Sequence, residues 1–479
     1  MCGGTWPGRS GTLRPKMTHA LFAPLKRPYR RLVGLIPYAW RFGGPTYRRT
    51  SAWVAATDRE GAAGLQELQD ASLRELIGRA VQRVPFYARL FAEHGIVPSG
   101  ITSARDLSRL PFLDKETVLD HRDNLCATDI PRRRWAHTST GGTSGRPLVF
   151  FAERPVSRER EWAFMHAQWR RVGYRPGARI AALRNHALPG DRLFDYNPRT
   201  ATLVLDPFRL TPANVARYLQ AMREARVEFL HTYPSAAATL LRFAREAGVD
   251  ARLPIRAILA SSENVYPGQR EAIEGGLGAR FFSWYGHSEQ LVLAGECEQG
   301  SLYHSFPQYG VLELIDEAGR VIDRPGVRGE IVGTGFNNRV MPFIRYRTGD
   351  FASYAARPCP CGRAYPLLTE VSGRWQQEMI QRADGGLISM TALNMHSDCF
   401  DAVRQFQFVQ HEPGRLELHL VPGPGFGDGQ AAQLRRELLA KLGHDMDLEF
   451  HLVDQIEKTA RGKHRFLVQH LPIDLGGER

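Results

Sequence analysis

The chain has 479 residues, more than one compact domain normally holds, so two or three domains are expected. Hydrophobic residues make up 43% and charged residues 24%, a globular composition, and no apolar run reaches the roughly 18–20 residues of a membrane-spanning helix. Lys and Arg total 63 against 50 Asp and Glu, a net charge of +13 that suits anionic small molecules or acidic surfaces; without a zinc-finger, helix-turn-helix or RNA-binding pattern, nucleic acid is not expected as a partner.

The first sixteen residues read as a loose tail before Met17, so Met1 and Met17 are both candidate starts, and no secretory leader is evident. Leu21–Arg49 interleaves Arg and Lys with Leu, Val, Tyr, Trp and Phe. It reads as a basic, aromatic arm (residues 1–49) packed on the main domain, with peripheral membrane contact as the alternative. Residues 50–130 read as helical, with Leu65, Leu68, Leu73, Leu76, Ile77 and Val81 near 3.6-residue spacing and PFYARLFAEHGI as a further short helix. From about 148, strands (LVFF, ARIAALR, VEFLHTYPS, IRAILASSE) alternate with helices (ANVARYLQAMREA, SAAATLLRFAREAG), which predicts an α/β core with parallel sheet. Near 320 the pattern becomes β-rich. After Arg374, the strands QFQFVQ, LELHLV and LEFHLV with the helix AAQLRRELLAKLG predict a small α+β lid. The expected organisation is a large domain over 50–373 and a lid over 374–479. Six sparse cysteines are not a disulfide framework and suit a reducing, cytoplasmic compartment. Trp162 and Trp169, seven apart on one helical face, read as core, and Arg132–Arg134 as a solvated charge run.

Thr138–Arg146 (TSTGGTSGR) packs hydroxyls and glycines around one arginine. Glycines let several backbone N–H groups face one anion, and hydroxyls add donors, so Thr138, Ser139, Thr140, Gly141, Gly142, Thr143, Ser144, Gly145 and Arg146 are candidates to hold phosphate. A plain linker is the alternative, and the loop is not a Walker loop. Four later stretches accompany it: WYGHSEQ (284–290), RYRTGD (345–350) read as a strand end with an acid in a Gly turn, GRW (373–375) and KTARGKHR (458–465). Together, in this order, they resemble the adenylate-forming superfamily of acyl-CoA ligases, on the phenylacetate–CoA ligase-like and CapK-like branch. RELIGRAVQRVPFYARLF and LSRLPFLDKETV resemble the same branch.

The resemblance implies an α/β adenylate-forming fold with a mobile C-terminal lid. It implies that the 138–147 loop cradles the β- and γ-phosphates of ATP and that SSEN (261–264, with Ser262 and Glu263) contacts the adenine. Tyr285 stacks on the adenine within Gly286, His287 and Ser288. Glu289 binds Mg²⁺, Asp350 accepts from the ribose hydroxyls, Arg374 sits at the hinge, and Lys463 is the mobile lysine. Tyr233 and Pro234 fall near the acyl pocket, with core packing the alternative for Tyr233; His287 is a substrate candidate or a packing residue. The implied reaction joins a small carboxylic acid to AMP and passes the acyl group to CoA. An amine or hydroxyl acceptor, or a nucleotide-binding scaffold of polysaccharide assembly, are the alternatives, and monomer and homodimer both remain open. Two departures stand out. The hinge reads GRWQQE, with Gln376 and Gln377 where the branch usually has an acid, and the loop carries Arg146 where lysine is frequent.

Cys297 and His304 lie seven apart, and Cys359 and Cys361 follow in RPCPCGR. Three thiols and one imidazole satisfy a tetrahedral Zn²⁺, which predicts a closed structural site, with two buried thiols and an unrelated turn as the alternative. Cys2, Cys126 and Cys399 read as ordinary tail or core cysteines.

Overall fold

The computed structural model describes residues 38, 42–140, 148–266, 268–373, 379–393, 400, 402–443, 445–456 and 466–473. Four helices come first: α1 (Pro45–Thr57), α2 (Ala62–Arg83), α3 (Pro85–Glu93) and α4 (Lys115–Asp120). α2 buries Leu65, Leu73, Ile77 and Ala80 along one stripe, as the spacing predicts. Pro85 opens α3 in its first turn, where the missing N–H would have had no helical partner. The rest of 50–130 departs from the helical expectation: 3-10 turns and loops fill the stretches around α4. Tyr38 and Phe42 stack at 5.2 Å, and Phe42 meets Trp162 and His166 at 5.8 and 5.3 Å. Tyr38 and Phe42 pack on the main domain; the rest of the arm before residue 42 lies outside the described residues. Trp169 is fully buried, with Trp162 edge-on at 6.1 Å, as core positions should be.

A hairpin of β1 (Trp135–Thr140) and β2 (Leu148–Glu153) precedes α5 (Val156–Trp169). The main sheet contains β3 (Ile180–Leu183), β4 (Phe194–Asn197), β5 (Thr202–Leu205), β6 (Phe229–Thr232), β7 (Ala257–Ser261) and β8 (Arg280–Gly286). It continues through β9 (Leu293–Cys297), β10 (Gly300–Ser305), β11 (Gly310–Ile315), β12 (Arg328–Gly335), β13 (Tyr346–Tyr354) and β14 (Leu367–Ser372). Its order is β11-β12-β13-β14-β10-β9-β8-β7-β6-β3-β5-β4. The strands β5, β3, β6, β7 and β8 are parallel neighbours, linked by α6 (Val215–Glu224), α7 (Pro234–Glu246) and α8 (Gln269–Leu277). Strands such as β3 and β7 are buried throughout, as parallel strands flanked by helices must be. The β-rich region expected from about 320 is the antiparallel half of this same sheet, and it begins earlier, at the β8–β9 pairing.

Beyond it, β15 (Met379–Gln381) and β16 (Leu387–Ser389) form a hairpin followed by α9 (Met390–Leu393). A separate sheet, ordered β19-β18-β17-β20, holds β17 (Val403–Glu412), β18 (Arg415–Pro422), β19 (Asp447–Leu452) and β20 (Leu467–Gln469), with α10 (Asp428–Leu442). Leu416, Leu418 and Leu420 of β18 bury one face against Leu434, Leu438 and Leu442 of α10. The cluster continues into Leu240 and Phe243 of α7, and Arg382 donates to the carbonyls of Phe208 and Leu210 at 3.2 and 3.3 Å. Among the described residues no helix is long and apolar enough to cross a membrane.

Arg345 fixes the strand that carries the RYRTGD acid. Its Nε lies 3.2 Å from both Glu313 carboxylate oxygens, and its Nη1 donates to the Leu110 carbonyl at 2.7 Å. Both side chains are buried, and the guanidinium covers the Phe112 ring at 4.2 Å. Removing one partner of such a pair leaves an uncompensated buried charge. Arg345→Ala should therefore destabilise the chain by about 3–5 kcal/mol, read as a lowered urea midpoint.

Candidate functional site

The carboxyl ends of β3, β6, β7 and β8 point the same way, because these strands are parallel. The residues just beyond them share one edge of the sheet: Arg184 after β3, Tyr233 and Pro234 after β6, Ser262 and Glu263 after β7, and His287–Glu289 after β8. In open α/β sheets, ligands bind at this edge. An opening of about 560 Å³, lined by Arg270, Glu274, Arg280 and Gln299, sits at the amino-terminal end of β8 and holds none of the motif residues.

Tyr285 and Asp350 meet directly. The Tyr285 hydroxyl donates to Asp350 Oδ2 at 2.9 Å, although three strands separate β8 from β13 in the sheet. Asp350 is not at a strand end, contrary to the sequence reading. It sits inside β13, where the register shifts opposite Ile331 and Gly349 takes φ +73°. The glycine that reads as a turn makes a bulge, and the bulge re-aims the acid. Thr348 Oγ1 supports it by accepting from the Asp350 amide at 3.1 Å.

Glu289 is 5% exposed and lies in the turn between β8 and β9. That turn docks on glycines. A Cβ at Gly310 would come 2.1 Å from the Leu291 carbonyl oxygen, and one at Gly335 2.8 Å from that of Gln290. The His287 ring lies 5.7 Å from that of Tyr285. Ser262, Gln290 and Arg345 all have positive φ (68°, 59° and 57°), so three motif turns carry non-glycine residues in the left-handed region. Such strain collects at functional sites.

Glu263 accepts from the Ser235 amide and hydroxyl, each at 2.9 Å. Burial pushes its carboxyl above the usual range, against hydrogen bonds from Ser389 and Ser235. Ser389, on β16, thus joins the C-terminal region to this edge. The sequence reading missed Arg184. It donates to His231 and to Ser262 Oγ at 3.0 Å, and its guanidinium lies 4.5 Å from the Tyr233 ring centroid. Burial, and then the Arg184 charge, hold the His231 pKa far down, so the ring is neutral and accepts. The available signal was an arginine at the end of a predicted parallel strand, ARIAALR.

The phosphate-loop residues Gly141–Arg146, the hinge Arg374 and Lys463 lie outside the described residues. Thr138, Ser139 and Thr140 are in β1, and Thr140 pairs with Leu148 in β2, so the two strands bracket the loop.

The predicted zinc ligands come together. Cys297 and His304 lie on β9 and β10, and Cys359 and Cys361 lie between β13 and β14. All four are buried, with one ligand atom each within 4.8 Å of the others. Cys297 and Cys359 sulfurs are 3.4 Å apart, far beyond the ~2.05 Å of a disulfide. His304 Nδ1 lies 3.0 Å from the Leu302 carbonyl, which fixes Nδ1–H, and Nε2 faces Cys361 Sγ at 3.1 Å. Burial, with the Arg171 charge, lowers the His304 pKa to about 4, so the imidazole is neutral as a ligand must be. Burial raises the Cys297 pKa to about 12. Burial also opposes the Cys361 thiolate, but hydrogen bonds from Arg363 outweigh it and lower that pKa. This chemistry fits Zn²⁺, with Arg363 and Arg171 beside the anionic set.

Comparison with known proteins adds relatives and a shared fold. The CapK C-terminal domain matches residues 380–470. The phenylacetate-coenzyme A ligase of Thermus thermophilus is 29% identical over 336 residues, covering 66% of this chain and 72% of that protein. Protein CapK of Staphylococcus aureus is 20% identical, covering 85% and 90%. The chain is thus similar to phenylacetate-coenzyme A ligases and to protein CapK. Crystal structures of 2-hydroxyisobutyryl-CoA ligase, 22% identical, share the fold over 86% of this chain and 91% of theirs. The TM-score is 0.60 with that enzyme in its thioesterification state and 0.56 in its postadenylation state. The adenylate-forming architecture expected from the sequence is therefore the fold, and its motif turns occupy the carboxyl edge of the parallel strands.

Proposed function

We propose that the chain is an ATP-dependent ligase. It activates a small carboxylic acid as the acyl-adenylate, releases pyrophosphate and passes the acyl group to coenzyme A. The observation that carries this reading is the Tyr285–Asp350 hydrogen bond, which joins two distant motifs at the edge where Ser262, Glu263 and Glu289 also stand. The phenylacetate-coenzyme A ligases among its relatives support the reaction class.

A carboxylate resists nucleophiles because of its charge and its poor leaving group. Joined to AMP, it gains a good one. The chain's part is to hold ATP and acid in line and to neutralise charge. Asp350 accepts from the ribose hydroxyls and Tyr285 stacks on the adenine. Glu289 holds Mg²⁺, which supplies positive charge against the phosphates when bound. Tyr233 and Pro234 border the acyl side. Residues 374–479 act as the mobile lid, Arg374 as its hinge, and Lys463 as the cation it delivers. Cys297, His304, Cys359 and Cys361 hold a structural Zn²⁺. The reading places the protein in the cytoplasm, where ATP and coenzyme A are available.

The match of 380–470 to the CapK C-terminal domain, together with Gln376 and Gln377 at the hinge, favours an amine or hydroxyl acceptor as the second reading. A pyrophosphate-release screen over aryl and aliphatic acids, with and without coenzyme A, tests both. Release with acyl-CoA formation supports the ligase. Release with only acyl-hydroxamate trapped in hydroxylamine supports the other acceptor. No release with any acid returns the chain to a nucleotide-binding scaffold.

A further inference from the structure

The C-terminal sheet carries a second cluster of metal-ligand side chains, remote in the fold from the cysteine centre. β18 and β19 are parallel, and their register sets His419 beside His451 and Glu417 beside Glu449. Residues two apart on a strand share a face, so Glu417, His419 and His451 stand together, on the side opposite the buried Leu416, Leu418 and Leu420. Glu417 Oε2 lies 3.1 Å from His419 Nε2 and 3.9 Å from His451 Nε2. One donor atom of each lies within 4.8 Å of the other two, and the rings are 5.2 Å apart. Glu449 is 3.7 Å from His451 but is engaged by Arg415 at 2.6 Å.

An ion pair with one protonated histidine would explain Glu417 and His419. It leaves unaccounted for the second imidazole, His451, set near the same oxygen. Two neutral imidazoles and a carboxylate are instead a ligand set for a borderline divalent metal. The side chains are 30–43% exposed, so water can complete the coordination. β19 is an edge strand, and a metal there would pin it to β18.

We propose that Glu417, His419 and His451 form an exchangeable site for a divalent transition metal of the Zn²⁺, Ni²⁺ and Co²⁺ class, with at least one coordination position open. The proposal is independent of the ligase reading, and its test does not use activity. The full chain, prepared with zinc so that the cysteine centre is filled, is titrated with Ni²⁺ by calorimetry and with Co²⁺ by absorption. One added equivalent is expected. Co²⁺ should give visible d–d bands without thiolate charge transfer. His419→Ala, His451→Ala and the shape-conserving Glu417→Gln should each weaken Ni²⁺ binding at least ~10-fold, with metal-free circular dichroism and melting unchanged. His470→Ala, elsewhere on the domain, should leave binding as in the parent. Absence of an added equivalent, thiolate charge transfer in the new Co²⁺ signal, or equal weakening by His470→Ala would overturn the site.

Discussion

Glu289→Gln should lower pyrophosphate release by about 100-fold or more with any acid that the parent activates, because one aimed electrostatic group is typically worth that much to a transition state. The substitution keeps the shape of a side chain that is 5% exposed and removes only its charge, so the fold should persist. The loss should appear in kcat and in kcat/KM for ATP, since a group that acts on developing charge affects both. Lys463→Ala gives the complementary result. It should cost adenylation about 1000-fold, the upper range for one electrostatic group. Acyl transfer from a supplied adenylate should suffer much less, because no pyrophosphate departs in that step. Equal losses in the two half-reactions would remove Lys463 from the role given to it. A Glu289→Gln variant as fast as the parent would remove Glu289 from metal binding.

The motifs most legible in the sequence were those whose chemistry is local. HTYPS, SSEN and YGHSE each end a short apolar run, and each spans the carboxyl end of a parallel strand. The clustering of Cys297, His304, Cys359 and Cys361 was legible from residue type and spacing, since two short pairs of metal-ligand residues invite one another. What failed depends on non-local pairing. Gly349 carries the same signal whether it ends a strand or bulges inside one; only the pairing of β12 with β13 decides, and it chose the bulge. The single sheet was hidden for the same reason. β14 pairs with β10 across some sixty residues of chain, which joins the antiparallel strands to the parallel ones. Arg345 and Arg184 look like ordinary strand arginines. Their roles come from Glu313 in one case and from His231, Tyr233 and Ser262 in the other, partners far away in the chain.

Zinc removal should be the second large effect, and it bears on the nucleotide edge as well as on stability. A metal held by Cys297, His304, Cys359 and Cys361 would join the β9–β10 hairpin to the segment between β13 and β14. β9 follows the Glu289 turn, and β13 carries Asp350. Without metal, two of the cysteines and the histidine would crowd as a buried polar cluster beside Arg363 and Arg171, whose positive charges then lack an anionic partner in the ligand set. Cys361→Ser, or stripping the metal with a strong chelator, should therefore cost at least ~3 kcal/mol of stability. ATP binding should weaken with it, because the strands that hold Tyr285 and Asp350 together lose their tie. Metal analysis should find one zinc per chain in protein made with zinc present, and less than about half would count against the site. The discriminating comparison is between Cys361→Ser and Cys126→Ser. Cys126 is also buried but packs in the helical region, apart from the other described cysteines, so its loss should leave zinc content and ATP binding unchanged. If both variants behaved alike, the cysteine cluster would be packing and not a metal centre.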